Sequence, residues 1–252
     1  MEKDKIAILI PAYNEETYIR DVVKKCLPYN MDIIIVDDGS SDNTVSIIKN
    51  IPQPKNCKIV LIKHPKNLGK GQSLKTGFNY VIKNNYTGVI TIDADGQHDT
   101  GEILKFLKKL REENPDIIVG NRLKNTKDMP FVRLATNVFT SWVISLLAGG
   151  KIRDVQSGYR YISSNILKEV DLETGNFDTE PEILLKASWL GYKIKNILIR
   201  TIYHENFISH VNPLKDTIKF FKLVFRSIKQ RKLYLKNASK NRIDFKKNSK
   251  QE

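Results

Sequence analysis

The sequence predicts an α/β protein with a mostly parallel central sheet and helices on both faces of that sheet. Short runs of Ile and Val, such as "IAILI" and "IIIV", alternate with segments whose apolar residues recur at helical spacing. Continuous apolar runs of this kind are typical of strands that are buried on both faces. The chain has 252 residues, of which 40% are hydrophobic and 28% charged, which suits one large globular domain with a short appendage.

The elements follow one another in a regular order. Predicted strands cover residues 5–13, 32–40, 57–64, 87–95, 115–122 and 192–204. Predicted helices cover residues 15–27, 42–51, 71–85, 101–113, 131–148 and 179–191, and residues 151–163 form a loop that leads into a further strand. Polar residues follow four of the strands, at the carboxyl ends where parallel sheets bind ligands: 14–16, 37–40, 93–95 and 121–122.

The last segment of the chain is basic and amphipathic. Its apolar residues recur at spacings of 4, 3, 4 and 3 from Leu214 to Ile228, with lysines and arginines on the other faces. Residues 215–252 hold 13 Lys/Arg and 3 Asp/Glu, so they carry +10 of the formal net charge of +14. We predict a domain over residues 1–212, an amphipathic membrane-surface helix over 213–235 and a basic, disordered tail over 236–252. Packing of the helix against the domain is the alternative, and the two are compatible.

Composition argues against several classes of protein. Two cysteines, Cys26 and Cys57, without nearby His or Cys clusters, argue against a disulfide framework or a zinc knuckle and favour the cytosol. No apolar run reaches the roughly 18–20 residues of a spanning helix. We therefore expect a cytoplasmic protein that is peripheral at the cytoplasmic face of a membrane, or recruited there by a membrane-embedded partner. Nucleic acid is a remote alternative partner, because the sequence lacks stacking platforms and a recognition helix.

The stretch "VITIDADGQHD", residues 89–99, places two aspartates directly after a predicted buried strand. Residues i and i+2 of an extended segment point the same way, so Asp93 and Asp95 face one point. Two converging carboxylates repel each other unless a cation lies between them, and hard oxygen ligands suit Mg²⁺ or Mn²⁺. We predict a metal site formed by Asp93 and Asp95, with Gln97 as a third ligand or as the group that positions a bound water.

Six motifs occur along the chain: "PAYNEE" (11–16), "VDDGSSDNT" (36–44), "NLGKG" (67–71), "DADGQH" (93–98), "GNR" (120–122) and "SGYR" (157–160). In the order and spacing of these motifs the chain resembles glycosyltransferase family 2, and in particular its polyprenyl-phosphate sugar synthases of the dolichyl-phosphate mannose synthase type. The resemblance runs from about residue 5 to about residue 230. It implies a GT-A fold, which is Rossmann-like, and an inverting, metal-dependent transfer of a sugar from a GDP- or UDP-linked donor to a polyprenyl or dolichyl phosphate. Mannose from GDP-mannose is the first expectation, with UDP-glucose and UDP-N-acetylglucosamine as alternatives.

The resemblance also assigns residues to the donor. Tyr13 can stack on a base, and Glu15 can accept hydrogen bonds from base or ribose, although a capping glutamate is the simpler interpretation. One of Asp37 and Asp38 is assigned to the nucleoside, and Lys70 is expected near the diphosphate unless it is a flexible turn lysine. The predicted nucleotide-sugar-binding residues are Pro11, Tyr13, Glu15, Asp37, Asp38, Lys70, Asp93, Ala94 and Gln97.

In the synthases that the chain resembles, arginines at matching positions hold the acceptor phosphate, and a guanidinium fork matches the geometry of phosphate. The acceptor-phosphate residues are Arg122, Arg133 and Asn137, with surface salt bridges as the alternative for Arg133. Asp95, Arg122 and Arg133 are the predicted catalytic residues. By the same resemblance the sugar pocket is formed by Asp154, Gln156, Ser157 and Glu180, whereas Arg160 is expected to be structural.

The acceptor decides whether the enzyme needs a general base. A phosphate monoester is already anionic at pH 7, so orientation is enough, whereas a sugar hydroxyl needs a base. The alternative function is therefore a family 2 transferase that extends a polysaccharide or glycolipid on a hydroxyl, with Glu180 or Glu182 as base unless both only cap a helix. Members of this family usually close a basic residue over the diphosphate. Here the candidates are His204, His210 and Arg200.

Overall fold

The computed structural model describes residues 5–122, 131–174, 178–202, 224–226, 228, 229 and 231, without the side chains of residues 131–133. The described strands are β1 (Ile6–Ala12), β2 (Ile33–Asp37), β3 (Ile59–Lys63), β4 (Gly88–Thr91), β5 (Ile117–Asn121), β6 (Arg160–Ser163) and β7 (Ile194–Leu198). The α-helices are α1 (Ile19–Cys26), α2 (Thr44–Lys49), α3 (Lys70–Lys83), α4 (Ile103–Glu113), α5 (Phe131–Ala148), α6 (Ser164–Glu169) and α7 (Thr179–Trp189).

The strands form one sheet in the order β3-β2-β1-β4-β6-β5-β7. The pairs β3–β2, β2–β1, β1–β4 and β5–β7 are parallel, whereas β6 is antiparallel to both β4 and β5. Arg160 therefore pairs with Thr91 near the end of β4 and with Val119 near the end of β5. As a result, β6 begins at the edge of the sheet where its neighbours end.

Two apolar layers cover the two faces of the sheet. One layer packs α3, α5, α6 and α7 against side chains such as Leu9, Val89 and Val119. The other packs α1, α2 and α4 against side chains such as Ile10 and Ile90. The inner strands are buried on both faces, which explains why they appear in the sequence as continuous Ile/Val runs, whereas the edge strands β3 and β7 are mostly half-buried.

The predicted fold class, α/β with a mostly parallel sheet, is confirmed. Strands and helices occur where the sequence predicts them, with two differences. Helix α6 was not predicted, and the strand that follows the loop 151–159 is inserted antiparallel between β4 and β5. Among the described residues no helix combines the length and the apolar character that crossing a bilayer requires. Cys26 and Cys57 are both free thiols.

Candidate active site

The polar segments that follow β1, β2, β4 and β5 lie at one edge of the sheet, because these strands run parallel to one another. The loops after β1 and β2 are joined by hydrogen bonds. The backbone N–H of Asn14 donates to Ser40 Oγ (2.9 Å), that of Glu15 donates to Thr44 Oγ1 (2.8 Å), and Asn43 N–H donates to Glu16 Oε2 (2.9 Å). These hydrogen bonds connect the motifs "PAYNEE" and "DDGSSDNT" along one side of the site.

The two aspartates that end β2 have different roles. Asp38 accepts hydrogen bonds from the N–H groups of Leu68 (3.0 Å) and Gly69 (2.8 Å), and its Oδ1 lies 2.7 Å from His64 Nδ1. It therefore anchors the loop "NLGKG", which leads into α3. Asp37 accepts from Ser40 N–H, but its buried Oδ1 has no partner in the described part of the chain. Of the two predicted nucleoside contacts, Asp37 is thus the one with an unused acceptor atom.

Lys70, the first residue of α3, forms an ionic bridge between two acidic residues. Its Nζ lies 2.7 Å from Asp93 Oδ1 and 2.9 Å from Glu180 Oε1. Burial opposes the charged form of Lys70, but the two carboxylates outweigh it and raise the pKa of the ammonium. Burial likewise opposes ionisation of Asp93, and Lys70 outweighs it and lowers the pKa of that carboxyl. The bridge brings together the "NLGKG" loop, the end of β4 and the first turn of α7.

Gly158 packs against the Lys70–Asp93 ion pair. A Cβ atom at residue 158 would lie 2.6 Å from Asp93 Oδ2 and 2.9 Å from Lys70 Nζ, and at these distances the side chains of Asp93 and Lys70 would have to shift. The loop before β6 can pack on the charged pair only because residue 158 has no side chain. Thr91 Oγ1 adds a hydrogen bond of 2.6 Å to the carbonyl of Gly158.

His98 fixes the backbone of the "DADGQH" turn. Its Nδ1 accepts a hydrogen bond of 3.0 Å from Asp93 N–H, and its ring stacks on Tyr159 with the centroids 4.8 Å apart. Burial lowers the pKa of His98, which favours the neutral imidazole. Since Nδ1 is an acceptor here, the proton of the neutral ring is on Nε2, which lies 3.7 Å from Asp93 Oδ2.

The carboxylates around Asp95 repel one another. Burial and the charge of Asp93 raise the pKa of Asp95. Burial, together with the carboxylates of Asp95, Asp93 and Asp42, raises the pKa of Glu15 to about 8. Among the described residues, Lys70 is paired with Asp93 and Glu180, and neither Asp95 nor Glu15 has a cationic partner. The donor set, oxygen atoms with excess negative charge, therefore fits a hard divalent cation.

The described residues do not complete a metal site by themselves. No group of three His, Cys, Asp or Glu side chains among them is arranged around a common point for an ion. Gln97 is buried and its backbone N–H donates to Asp95 Oδ1 (3.0 Å), while its Nε2 has no described partner. An unused N–H donor suits a ligand oxygen, whereas a cation would need Oε1. The metal role of Gln97 remains a prediction, and two carboxylates plus substrate phosphates is a common Mg²⁺ arrangement.

Arg122, which the sequence assigns to the acceptor phosphate, forms a buried ion pair with Asp154. Arg122 Nε and Nη2 donate to the two carboxylate oxygens of Asp154, each over 2.8 Å, and Arg122 N–H donates to Oδ2 over the same distance. Asn137 Nδ2, from α5, donates to Oδ1 (2.8 Å). Although burial opposes its charge, Arg122 lowers the pKa of Asp154. Asp154 is fully buried and contacts Arg122 and Asn137, and its place in the sugar pocket stays a prediction.

The other three predicted sugar-pocket residues have three different environments. Gln156 is exposed, Ser157 is fully buried with an unpartnered Oγ among the described residues, and Glu180 faces Lys70. Arg160 donates to the carbonyls of Val155 (2.5 Å), Ser157 (2.7 Å) and Glu180 (2.6 Å), which confirms its structural role.

Glu182 is not placed to act as a base. Its carboxylate accepts from the N–H groups of Glu173 (3.0 Å) and Thr174 (2.9 Å) and from Thr174 Oγ1 (2.5 Å), and it lies 2.7 Å from Lys186 Nζ. These donors outweigh the effect of burial and lower the pKa of Glu182. Glu182 therefore stabilises the segment before α7, and it does not cap that helix.

The remaining predicted residues lie as follows. Pro11 and Ala94 are buried near the ends of β1 and β4. Tyr13, which follows β1, is 39% exposed, so its ring is accessible to a planar ligand. Arg133 belongs to the first turn of α5, but its side chain lies outside the described part, as do His204 and His210 altogether. Arg200 is exposed, and its neighbour Ile202 donates its N–H to the carbonyl of Gln97 (2.9 Å), so this segment passes the site.

The profile of the family described as "Glycosyl transferase family 2" matches residues 7–170. The chain is a member of glycosyltransferase family 2. This match covers the carboxylate cluster, the Arg122–Asp154 pair and the loop that carries Gly158. The protein is accordingly an enzyme that transfers a sugar.

Three characterised relatives are similar to this family 2 transferase over most of its length. It is 36% identical over 217 residues to "UDP-N-acetylglucosamine--dolichyl-phosphate N-acetylglucosaminyltransferase" of Methanococcus voltae, covering 79% of this chain and 86% of that one. It is 30% identical over 212 residues to a dolichyl-phosphate beta-glucosyltransferase of Trichomonas vaginalis (76% and 64%). It is 25% identical over 233 residues to the polyprenol monophosphomannose synthase of Mycolicibacterium smegmatis (89% and 87%).

Solved structures support the GT-A-like fold. The mannosyl-3-phosphoglycerate synthase from Rubrobacter xylanophilus superposes with a TM-score of 0.60 at 13% identity, covering 90% of this chain and 73% of that one. Residues 1–349 of S. aureus TarS in complex with UDP-GlcNAc superpose with a TM-score of 0.56 at 17% identity (87% and 65%).

The structure of this family 2 transferase adds residues that the sequence interpretation missed. His98 and Gly158 both belong to quoted motifs but received no role, and Glu180 was not connected with Lys70. The contacts of Gly158 with Asp93, of His98 with Tyr159 and of Glu180 with Lys70 join positions more than 60 residues apart, so spacing along the chain gives no signal for them. The positive φ angle of Asp154 (53°) marks a constrained backbone, but only the structure shows it.

Proposed function

We propose that the enzyme transfers a sugar from a nucleoside diphosphate donor to a polyprenyl phosphate. One observation carries this proposal: a cluster of unneutralised carboxylates around Asp95 and a positioned arginine, Arg122, share one edge of the sheet. The first can accept a cation that accompanies a leaving diphosphate, and the second can orient an anionic nucleophile. The names of the three relatives support the lipid-phosphate acceptor.

On the donor side we propose that Asp95, with Asp93, holds Mg²⁺ or Mn²⁺. When bound, such an ion neutralises the charge that develops on the departing diphosphate. Tyr13 stacks on the base and Asp37 accepts a hydrogen bond from the nucleoside through its unused Oδ1. Lys70 is held within reach of the same phosphates by Asp93 and Glu180.

On the acceptor side Arg122 is fixed by Asp154, and Arg133 belongs to the first turn of α5, the helix that also carries Asn137. Since Asp154 already neutralises Arg122, we assign Arg122 mainly to orientation and Arg133 to charge. An oxygen of the acceptor phosphate attacks the anomeric carbon from the face opposite the diphosphate. The new C–O bond forms as the bond to the diphosphate oxygen breaks, so the configuration inverts and no proton has to be removed.

The first donor to test is UDP-N-acetylglucosamine, because it appears in the name of the relative that is 36% identical over 217 residues. GDP-mannose and UDP-glucose follow, in line with the names of the other two relatives. The sugar that we predicted first from the sequence, mannose, thus becomes one arm of the comparison.

We further propose that the enzyme works at the cytoplasmic surface of a membrane. Of residues 213–235 the structure describes six, and the apolar residues Phe225 (72% exposed) and Ile228 (49% exposed) face outward while Val224 is buried. Helix α5 also exposes an apolar face, formed by Val138, Phe139, Trp142 and Leu146. Exposed aromatic and aliphatic residues beside exposed basic residues suit the interface of an anionic bilayer.

The test is a donor screen with radiolabelled sugar nucleotides and a polyprenyl phosphate, with and without EDTA. We expect label to enter the lipid fraction from one donor, to disappear with EDTA and to return with excess Mg²⁺ or Mn²⁺. A parallel reaction offers a sugar with a free hydroxyl group. If label entered only that sugar, the acceptor would be a hydroxyl and not a lipid phosphate. Transfer that is insensitive to chelation would overturn the cation site at Asp93 and Asp95.

A further inference from the structure

A second cleft opens at the carboxyl ends of β5 and β7, apart from the carboxylate cluster. It has a volume of about 260 Å³ and is lined by Asn121, Lys151, Arg153, Asn196, Ile197 and Leu198. Asn121 directly precedes Arg122 in the chain, so the cleft is next to the acceptor side of the site. It is large enough for a phosphate ester and several of its substituent atoms.

Lys151 and Arg153, the two cations of the cleft, belong to a short segment that is held by hydrogen bonds to Asn196 and Ser145. The side chain of Asn196 accepts a hydrogen bond from Arg153 N–H (3.0 Å) and donates one to the carbonyl of Lys151 (3.3 Å). Ile152 between them is buried, and its N–H donates to Ser145 Oγ (3.0 Å). Lys151 and Arg153, on either side of the buried Ile152, are both exposed.

The charge of this cleft is not compensated. Its lining holds two cations and no carboxylate, and in the described part of the chain no acidic group forms an ion pair with Lys151 or Arg153. Two nearby cations differ: Arg122 is paired with Asp154 (2.8 Å) and Lys195 with Glu113 (2.8 Å). The amide groups of the two asparagines add polar atoms, while Leu198, 41% exposed, adds an apolar rim.

We propose that this cleft binds the phosphodiester headgroup of an anionic lipid, next to the acceptor. Lys151 and Arg153, which have no acidic partner among the described residues, supply the charge for the phosphate, and Leu198 suits the first carbons of an aliphatic chain. The choice of a lipid-borne phosphate rests on the proposed function, whereas the affinity of the cleft for a phosphate ester does not. The cleft would hold the acceptor side of the enzyme against the bilayer.

The test compares wild type with the double variant Lys151→Gln/Arg153→Gln in sedimentation with vesicles of phosphatidylcholine and phosphatidylglycerol. Each basic residue near an anionic surface contributes about 1 kcal/mol, so we expect vesicle affinity to fall roughly 20-fold or more. The control variant Lys24→Gln/Lys25→Gln removes the same charge from the exposed side of α1 and should change affinity less than about 2-fold. Thermal melting checks that both variants fold.

Glycerol phosphate in solution, followed by ³¹P NMR, separates the two sources of the ligand. Line broadening in wild type that is lost in the double variant, without an effect on vesicles, would assign the cleft to a soluble phosphate ester. Equal vesicle affinity and equal NMR spectra for wild type and double variant would overturn the proposal, as would an equal loss in the control. None of these measurements uses the transfer reaction, so failure of the proposed function would be recognised separately, in the donor screen.

Discussion

Lys70 Nζ lies 2.7 Å from Oδ1 of Asp93, one of the two carboxylates that we propose for the cation. In the free protein the ammonium therefore supplies part of the positive charge that the carboxylates require. A cation that binds beside Asp93 weakens this attraction, and the diphosphate that arrives with it offers Lys70 a new anionic partner. The contact with Glu180 keeps Lys70 within reach during this exchange.

Replacement of Lys70 by Met should lower kcat by about 10²–10³-fold, the range found when one electrostatic contact to a developing charge is removed. It also leaves Asp93 and Glu180 without a partner, so the melting temperature should fall. Lys66→Met, in the same loop but exposed, is the matched control and should leave both quantities unchanged. Steady-state kinetics with unaltered turnover in Lys70→Met would remove the residue from the reaction.

Asp95→Asn should lower turnover more than about 100-fold, because a cation that contributes several kcal/mol to the transition state loses a ligand. Stability without metal should stay equal or rise, because burial and Asp93 disfavour the charge of Asp95 and because Asn retains an acceptor for Gln97 N–H. Activity assays over a Mn²⁺ titration and melting curves in EDTA check both parts. Asp21→Asn, exposed on α1, is the control.

Glu15 should make the free energy of unfolding depend on pH. Its pKa is raised from the ordinary value of 4.5 to about 8, mainly by burial and then by neighbouring carboxylates. The folded protein thus binds a proton that the unfolded chain releases, so stability is highest below about 4.5 and falls as pH rises to about 8. In Glu15→Gln this decline should be smaller, and the variant should be more stable than wild type above that range. Urea unfolding across the same pH range in EDTA measures the difference, and parallel curves would contradict the prediction.

Asp154→Asn should destabilise the protein by about 3 kcal/mol, because breaking one partner out of a buried ion pair leaves the charge of Arg122 uncompensated. The acceptor KM should rise as well, since Arg122 and Asn137 lose their common anchor. Gln156→Ala, exposed in the same loop, should change stability by less than about 0.5 kcal/mol. Denaturant unfolding and acceptor titrations with both variants provide the measurement.

Glu180→Gln and Glu182→Gln distinguish the two acceptor classes. With a phosphate acceptor, Glu180→Gln should keep turnover within about 10-fold of wild type, because no base is needed. Glu182→Gln should mainly lower the melting temperature, because Glu182 pairs with Lys186 in a buried network. If Glu180→Gln instead abolished chemistry while donor binding persisted in calorimetry, a hydroxyl acceptor would be favoured.

The donor half of the site was accessible from the sequence because its geometry is local. In a parallel sheet every strand delivers its following residues to the same edge, so Glu15, Asp37, Asp93 and Asp95 can be placed together from strand periodicity alone. The predicted helix boundaries agree with the observed ones to within a few residues.

The remaining features depend on contacts that no periodicity encodes. Asp38 and Asp154 look like ligand-binding carboxylates in the sequence, yet both are occupied by protein donors. A carboxylate that binds substrate and one that binds its own backbone have the same sequence signature, and only the positions of the donors separate them. The Lys70–Glu180 contact likewise spans 110 residues and depends on how α7 packs against α3.

The reversed direction of β6 has a consequence for how such enzymes diversify. Because β6 starts at the edge of the sheet where β4 and β5 end, the loop that precedes it lies at the candidate site without any change in the parallel strands. We expect substitutions at the exposed positions of residues 151–157 to alter which acceptor is used while the donor half of the site keeps its stability. Libraries for changing the specificity of this enzyme should concentrate on that loop, leave Gly158 and Asp154 unchanged, and spare β1 and β2.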